Sequence, residues 1–194
     1  ILLLSIFSYS AFSQLTSSVL QSGDWYKIGV IDKGIYKIDR SFLENLGVDV
    51  GSIDPKKIAI YGNGGNGMLP QANAEYRHED LIENSILVQG ETDGSFDASD
   101  YLLFFGNSPD LLEYDSQKDF FTYEKNLYSD TTFYFLTVKE SPGLRISQKN
   151  NTGVDLPKVT SFKGVNFHEV DETNLLQGGR MWFGELFSSS KPSQ

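Results

Sequence analysis

The chain carries two histidines and no cysteine, which narrows the chemistry open to it. His78-Glu79 and His168-Glu169 each place an imidazole beside a carboxylate. A helical zinc-protease motif needs a second imidazole one turn further on. Ile82 and Glu172 stand at those positions, so neither pair can share a metal. No serine sits in a GxSxG frame, and without a thiol there is no thiolate nucleophile. Tyr76-Arg77-His78-Glu79-Asp80 reads instead as a surface or turn network. Gly62-Asn63-Gly64-Gly65-Asn66-Gly67 fits GxGxxG after a strand, but a dinucleotide site needs a helix to begin there, with its amides turned to the pyrophosphate. Met68-Leu69-Pro70 begins no amphipathic helix, and the run reads as a flexible β-turn loop. Catalysis by this chain alone is not expected, and it offers no catalytic or cofactor-binding residue.

The acidic run at residues 89–100 is the best small-ligand candidate. It resembles a dockerin-type calcium loop, with oxygen ligands at positions 3, 5, 9 and 12: Glu91, Asp93, Asp97 and Asp100. Gly94 falls at the sixth position and Phe96 at the eighth. The departure is Gln89 at the first position, where a carboxylate is needed. The following Tyr101-Leu102-Leu103-Phe104-Phe105 reads as strand and not helix. The competing reading, which these departures favour, is a hairpin turn whose aspartates bond their own backbone. Calcium is thus the one cofactor the sequence suggests.

The elements that must position these residues are short. Tyr26, Ile28 and Val30 alternate with Lys27 and Gly29, and Ile35-Tyr36-Lys37-Ile38 alternates after Asp32-Lys33-Gly34. This predicts a β-hairpin with Gly34 in the left-handed position. Asp39 or Ser41 caps a short helix, Glu44 completing a capping box with Ser41, and Gly47 stops it. Strands follow at residues 57–61, 85–89, 101–105 and 132–138. Ser141-Pro142-Gly143 turns the chain before Leu144-Arg145-Ile146. Residues 149–157 are polar and mark the best internal boundary. The expected fold is mainly β, with sandwich-like antiparallel sheets and one or two short helices.

Twenty-six acidic and 16 basic side chains give a formal charge of −10, which argues against nucleic acid and anionic membrane as partners. Fourteen Phe, 10 Tyr and 18 Gly favour strands and turns over helices. Ile1-Leu2-Leu3-Leu4-Ser5-Ile6-Phe7 followed by Ala11-Phe12-Ser13 reads as a truncated signal peptide over residues 1–13, with Gln14 as the mature N-terminus. It is too short to span a bilayer, and no later run is long enough for a transmembrane segment. The Ser-rich tail ending at Gln194 reads as mid-protein sequence. The expected organisation is a β-rich domain over residues 14–148, then a linker and junction over residues 149–194 leading to a further domain.

Several segments, in order, resemble the N-terminal region of the PorU-type sortases of the type IX secretion system of Bacteroidetes. They are Trp25-Tyr26-Lys27-Ile28-Gly29-Val30 with Asp32-Lys33-Gly34-Ile35-Tyr36-Lys37-Ile38, and Ile60-Tyr61-Gly62-Asn63-Gly64-Gly65. Asp93-Gly94-Ser95-Phe96-Asp97 with Asp100-Tyr101-Leu102-Leu103-Phe104-Phe105-Gly106 comes next. His168-Glu169, Asp171, Asn174 and Gly179-Arg180-Met181-Trp182-Phe183-Gly184-Glu185 complete the set. The resemblance implies a gingipain-like cysteine peptidase at the outer-membrane surface, which removes C-terminal sorting signals from exported cargo and transfers the cargo to an anionic lipopolysaccharide anchor. The family's Cys–His dyad lies in the domain that follows this region, and none of its catalytic residues maps here. The implied partners are that downstream peptidase domain, the outer-membrane barrel protein that holds the enzyme, and other proteins of the attachment complex.

Trp182 and Phe183, large apolar groups between glycines, with Arg180 and Glu185 beside them, are expected to form the junction to that domain. An ordinary core strand is the competing reading of this segment. For the chain as a whole, two further readings stay open: a secreted β-sandwich module binding glycan or protein through exposed aromatics, and a pro-segment that occludes the peptidase.

Overall fold

The computed structural model describes residues 17–65, 67, 78–149, 158, 160–162, 164–168, 170–178 and 182–187. The expected signal segment, most of the 149–157 boundary, and Arg180 lie outside the described residues. The chain divides into two compact units, Ile1–Asn151 and Thr152–Gln194.

The first unit is mainly β, as the turn-rich, aromatic sequence predicts. Its elements in chain order are β1 (Tyr26–Val30), β2 (Gly34–Asp39), α1 (Arg40–Asn45), β3 (Ile58–Tyr61), β4 (Glu83–Asn84), β5 (Leu87–Gln89), β6 (Tyr101–Gly106), β7 (Leu111–Asp115), β8 (Phe120–Glu124) and β9 (Thr132–Val138). Three antiparallel sheets result, in the orders β1-β9-β3-β4, β2-β6-β5 and β7-β8.

The expected β1–β2 hairpin does not form. Tyr26 faces Leu136 on β9, whereas Ile35 faces Phe105 on β6, so the two strands belong to different sheets. Residues 31–33 carry the chain across, and the Tyr36 hydroxyl braces this corner by donating to the Asp32 carbonyl at 2.7 Å. Gly34 opens β2 and does not take the left-handed conformation. Both strands turn alternate apolar residues inward, and a sheet switch satisfies that period as well as a hairpin does. The core is built from Ile28, Val30, Ile58, Ile60, Tyr134 and Leu136 of the first sheet and Ile38, Leu102 and Phe104 of the second. Phe104 and Tyr134 meet with ring centroids 5.2 Å apart.

Asp39 is the helix cap, its carboxylate accepting from the Phe42 N–H at 3.0 Å. Ser41 lies inside the helix and donates to Asp39, and Glu44 pairs with Arg40 instead of closing a capping box. Gly47, at φ 90°, ends the helix as expected. Leu43 is buried beneath it, whereas Phe42 is partly exposed. No helix among the described residues is long and apolar enough to cross a membrane.

The β7–β8 ribbon is an element that the sequence reading missed. A lone hairpin is marginal in water, and its root is fixed by Asp110. That carboxylate accepts from the Tyr123 hydroxyl and from the Asn126 N–H. In the second unit, the only regular pairing among the described residues is a bridge between Thr173 and Phe183.

Candidate functional site

The acidic run closes the β5–β6 hairpin. Phe96, fully buried, anchors it, and the Phe96 carbonyl accepts from Arg40 at 2.7 Å. The four predicted ligand residues do not converge. Glu91 turns to Arg145, its carboxylate 2.7 Å from the guanidinium Nε. Asp93 accepts from the N–H and hydroxyl of Ser95. Asp100 is buried, accepts from the Asp97 N–H at 2.8 Å and lies directly against Gly90. A Cβ at residue 90 would fall 1.9 Å from an Asp100 oxygen, and the φ of +95° there also requires glycine. Among the described residues, no group of three or more His, Cys, Asp and Glu side chains is placed to hold a metal ion.

Arg145, which the sequence reading placed only in a segment after a turn, is the strongest polar centre of this unit. Besides Glu91 it donates to the carbonyls of Pro55, Lys56, Ile58 and Leu144, at 2.9 to 3.2 Å. Those four acceptors are backbone groups, which leave no side-chain signature in the sequence. Beside it, Glu83 accepts from Lys139 at 2.6 Å, from the Leu144 N–H at 2.7 Å and from the Tyr61 hydroxyl at 3.2 Å. Burial opposes ionisation of Glu83, but these donors and the Lys139 charge outweigh it and hold its carboxyl below the usual range. The same burial and the Glu83 charge push the Tyr61 phenol up.

The Gly-rich run is a packing device. A Cβ at Gly62 would fall 2.6 Å from the Tyr134 ring, and one at Gly65 would fall 1.7 Å from the Ser108 carbonyl oxygen. Asn63 donates to the Asp80 carbonyl and accepts from the Ile82 N–H, both at 3.0 Å. The loop expected to be flexible is thus tied down at residues 62–65, and the Met68-Leu69-Pro70 segment after it lies outside the described residues. Asp80, from the His78-Glu79-Asp80 cluster, accepts from the Ser18 hydroxyl and the Val19 and Leu81 N–H groups. The two backbone bonds, with the Ser18 bond, hold its pKa down against the cost of burial. The cluster's acid is a clamp on the chain before β1.

In the second unit Trp182, Phe183 and Glu185 of the predicted junction lie at or next to the Thr173–Phe183 bridge. Phe183 exchanges backbone hydrogen bonds with Thr173 at 2.8 and 2.9 Å. Trp182 is 50 % exposed, and Phe183 is also exposed. Glu185 meets His168 Nε2 at 2.5 Å across this turn. The hydrogen bond to Glu185, and then its charge, raise the His168 pKa above the ordinary imidazole value. The same bond lowers Glu185. The raised histidine loses its contribution as pH rises through its folded pKa. The depressed carboxylate loses its own as pH falls through its folded pKa. The clip therefore holds between the two. An NMR titration of His168 should show a raised midpoint, which Glu185→Gln returns toward the ordinary value; an unmoved midpoint rules the clip out.

What emerges is an antiparallel β domain whose polar centres hold backbone, and a second, smaller unit that carries exposed aromatics, in a chain without cysteine. No family model matches the sequence, and no curated protein does. Among solved structures the chain is similar to PorU from Porphyromonas gingivalis, solved as a dimeric latent form, with 28% identity and a TM-score of 0.53. The match covers 71% of this chain and only 12% of that one. The likeness is to a small part of PorU.

Proposed function

We propose that this chain is the non-catalytic N-terminal scaffold or docking region of a PorU-type cysteine peptidase, one that removes C-terminal sorting signals from type IX secretion cargo. One observation carries the reading: a chain without cysteine is similar in fold to a part of PorU, with 28% sequence identity over the matched 71% of the chain. In this reading the protein is exported and held at the outer-membrane surface. Its peptidase domain lies downstream, and it works beside an outer-membrane barrel protein and the attachment complex. Trp182, Phe183, Glu185 and Arg180 form the junction toward the peptidase domain; the exposure of Trp182 and Phe183 supports this role.

The test compares the 194-residue chain with the whole product of its gene on a peptide ending in a sorting signal. The whole product should cleave the peptide, and the 194-residue chain should leave it intact. Turnover by the shorter chain that survives repurification, or none by the whole product, would sink the proposal. The latent state of the PorU structure lends support to a second reading, a segment that occludes the peptidase. Under that reading, the 194-residue chain added in trans slows a peptidase that lacks it.

A further inference from the structure

The β1-β9-β3-β4 sheet turns one face to the core, and part of its other face is covered. Ile58 and Ile60 of β3 and Leu136 of β9 belong to the core, so Ala59 and Thr137 beside them point the other way. These two stand directly opposite each other and are 1 % and 5 % exposed. Phe133, further along the same face of β9, is 42 % exposed.

The chain before β1 closes over Thr137. Asp80 stands just before β4, at one edge of the sheet, and Trp25 leads into β1, at the other. Between them residues 18–25 cross the strands. The Asp80 carboxylate holds the far end, accepting from the Ser18 hydroxyl at 2.9 Å and the Val19 N–H at 2.6 Å. At the near end the Thr137 hydroxyl donates to the Asp24 carbonyl at 2.8 Å. The Trp25 ring meets Tyr61 of β3 edge-on, with centroids 5.1 Å apart. The segment has little grip on the core: residues 17–24 are exposed, and Trp25 is partly buried.

We propose that residues 18–25 form a strap that lifts from the sheet while the sheets stay folded, with the Asp80 carboxylate as its latch. Segments that open well below the free energy of global unfolding are those with few buried contacts and solvent-exposed hydrogen bonds. That describes this strap and not the strands beneath it. Lifting uncovers Thr137 and frees the edge of the Tyr61 ring, so one core carries two alternative surfaces. The device is independent of the reading of the chain as part of a peptidase.

The absence of cysteine makes the test direct, since a single introduced thiol reports the opening. Thr137→Cys places one under the strap, and Leu136→Cys places one on the core face of the same strand. Maleimide labelling of the 194-residue chain is followed in low urea, where the protein stays native. The Thr137→Cys rate should hardly change with urea, because lifting a strap exposes little surface. The Leu136→Cys rate should climb steeply, because its thiol waits for unfolding. Within the Thr137→Cys background, Asp80→Ala should speed labelling about tenfold. Ser18→Ala removes only the hydroxyl end of the latch and should speed it about threefold; it stands in if Asp80→Ala fails to fold. A Thr137→Cys rate that climbs with urea as steeply as that of Leu136→Cys overturns the proposal. So does a rate indifferent to the latch variants.

Discussion

Replacing Arg145 with methionine is expected to destabilise the first unit by about 3 kcal/mol or more. The guanidinium makes five hydrogen bonds, to Glu91 and to four backbone carbonyls. Bonds from a charged donor are worth about 1.5 to 3 kcal/mol each when nothing replaces them. The side chain is 22% exposed, so water reaches part of the cluster and the sum stays well below five full bonds. Methionine keeps much of the volume and leaves Glu91 without its cation. Lysine restores the charge but not the planar fork, so Arg145→Lys should recover only a minor share. Glu91→Gln removes one charge and should cost about 1 kcal/mol. Urea unfolding followed by Trp25 fluorescence, in a Trp182→Phe background, reports on this unit. Arg145→Met within 1 kcal/mol of the parent would contradict the assignment.

Tyr134→Ala should be the most damaging single change in the core, at about 3 to 5 kcal/mol, as for other large aromatic truncations. Tyr134 is 1% exposed, touches Phe104 of the facing sheet and lies against Gly62. Its hydroxyl accepts from the Asn107 N–H at 2.9 Å. Tyr134→Phe keeps the ring and leaves that N–H unpartnered, for about 1 to 3 kcal/mol. Gly62→Ala attacks the same contact from the other side, since its Cβ meets the ring at 2.6 Å. If Tyr134→Ala and Gly62→Ala act through one contact, their costs in the double variant fall short of the sum. Full additivity in the same urea experiment would show that the loop and the ring are independent.

These two centres also show where the sequence is readable. The helix was legible from Asp39 and Gly47, because capping is a local matter settled within a few residues. The β6 strand announced itself as an unbroken apolar run. The β1–β2 corner did not, because Asp32-Lys33-Gly34 serves a hairpin and a sheet switch equally well and only the distant partners β9 and β6 decide. The β7–β8 ribbon escaped notice because neither strand holds a buried residue and β7 shows no alternation, although Phe121 and Tyr123 of β8 do alternate with exposed neighbours. The spacing of acids at residues 91–100 matched a calcium loop. Spacing says nothing of where each carboxylate turns, and Glu91 turns to a guanidinium 54 positions on. Arg145 and the Gly62–Tyr134 contact were hidden for the same reason, since their partners lie far along the chain.

The placement of β9 between β1 and β3 has a kinetic consequence. Tyr26 pairs with Leu136, a separation of 136 − 26 = 110 positions, and Ile60 pairs with the same Leu136 from the other side. Such distant pairings carry a large loop-closure cost before any contact repays it, so this sheet forms slowly. A chain emerging from its N-terminus holds two unpaired, apolar edges, β1 and β3, until residues 132–138 arrive to lie between them. β9, the last strand among the described residues, is the one that completes the first sheet, and an interruption anywhere before Thr132 leaves both edges open to pairing with other chains.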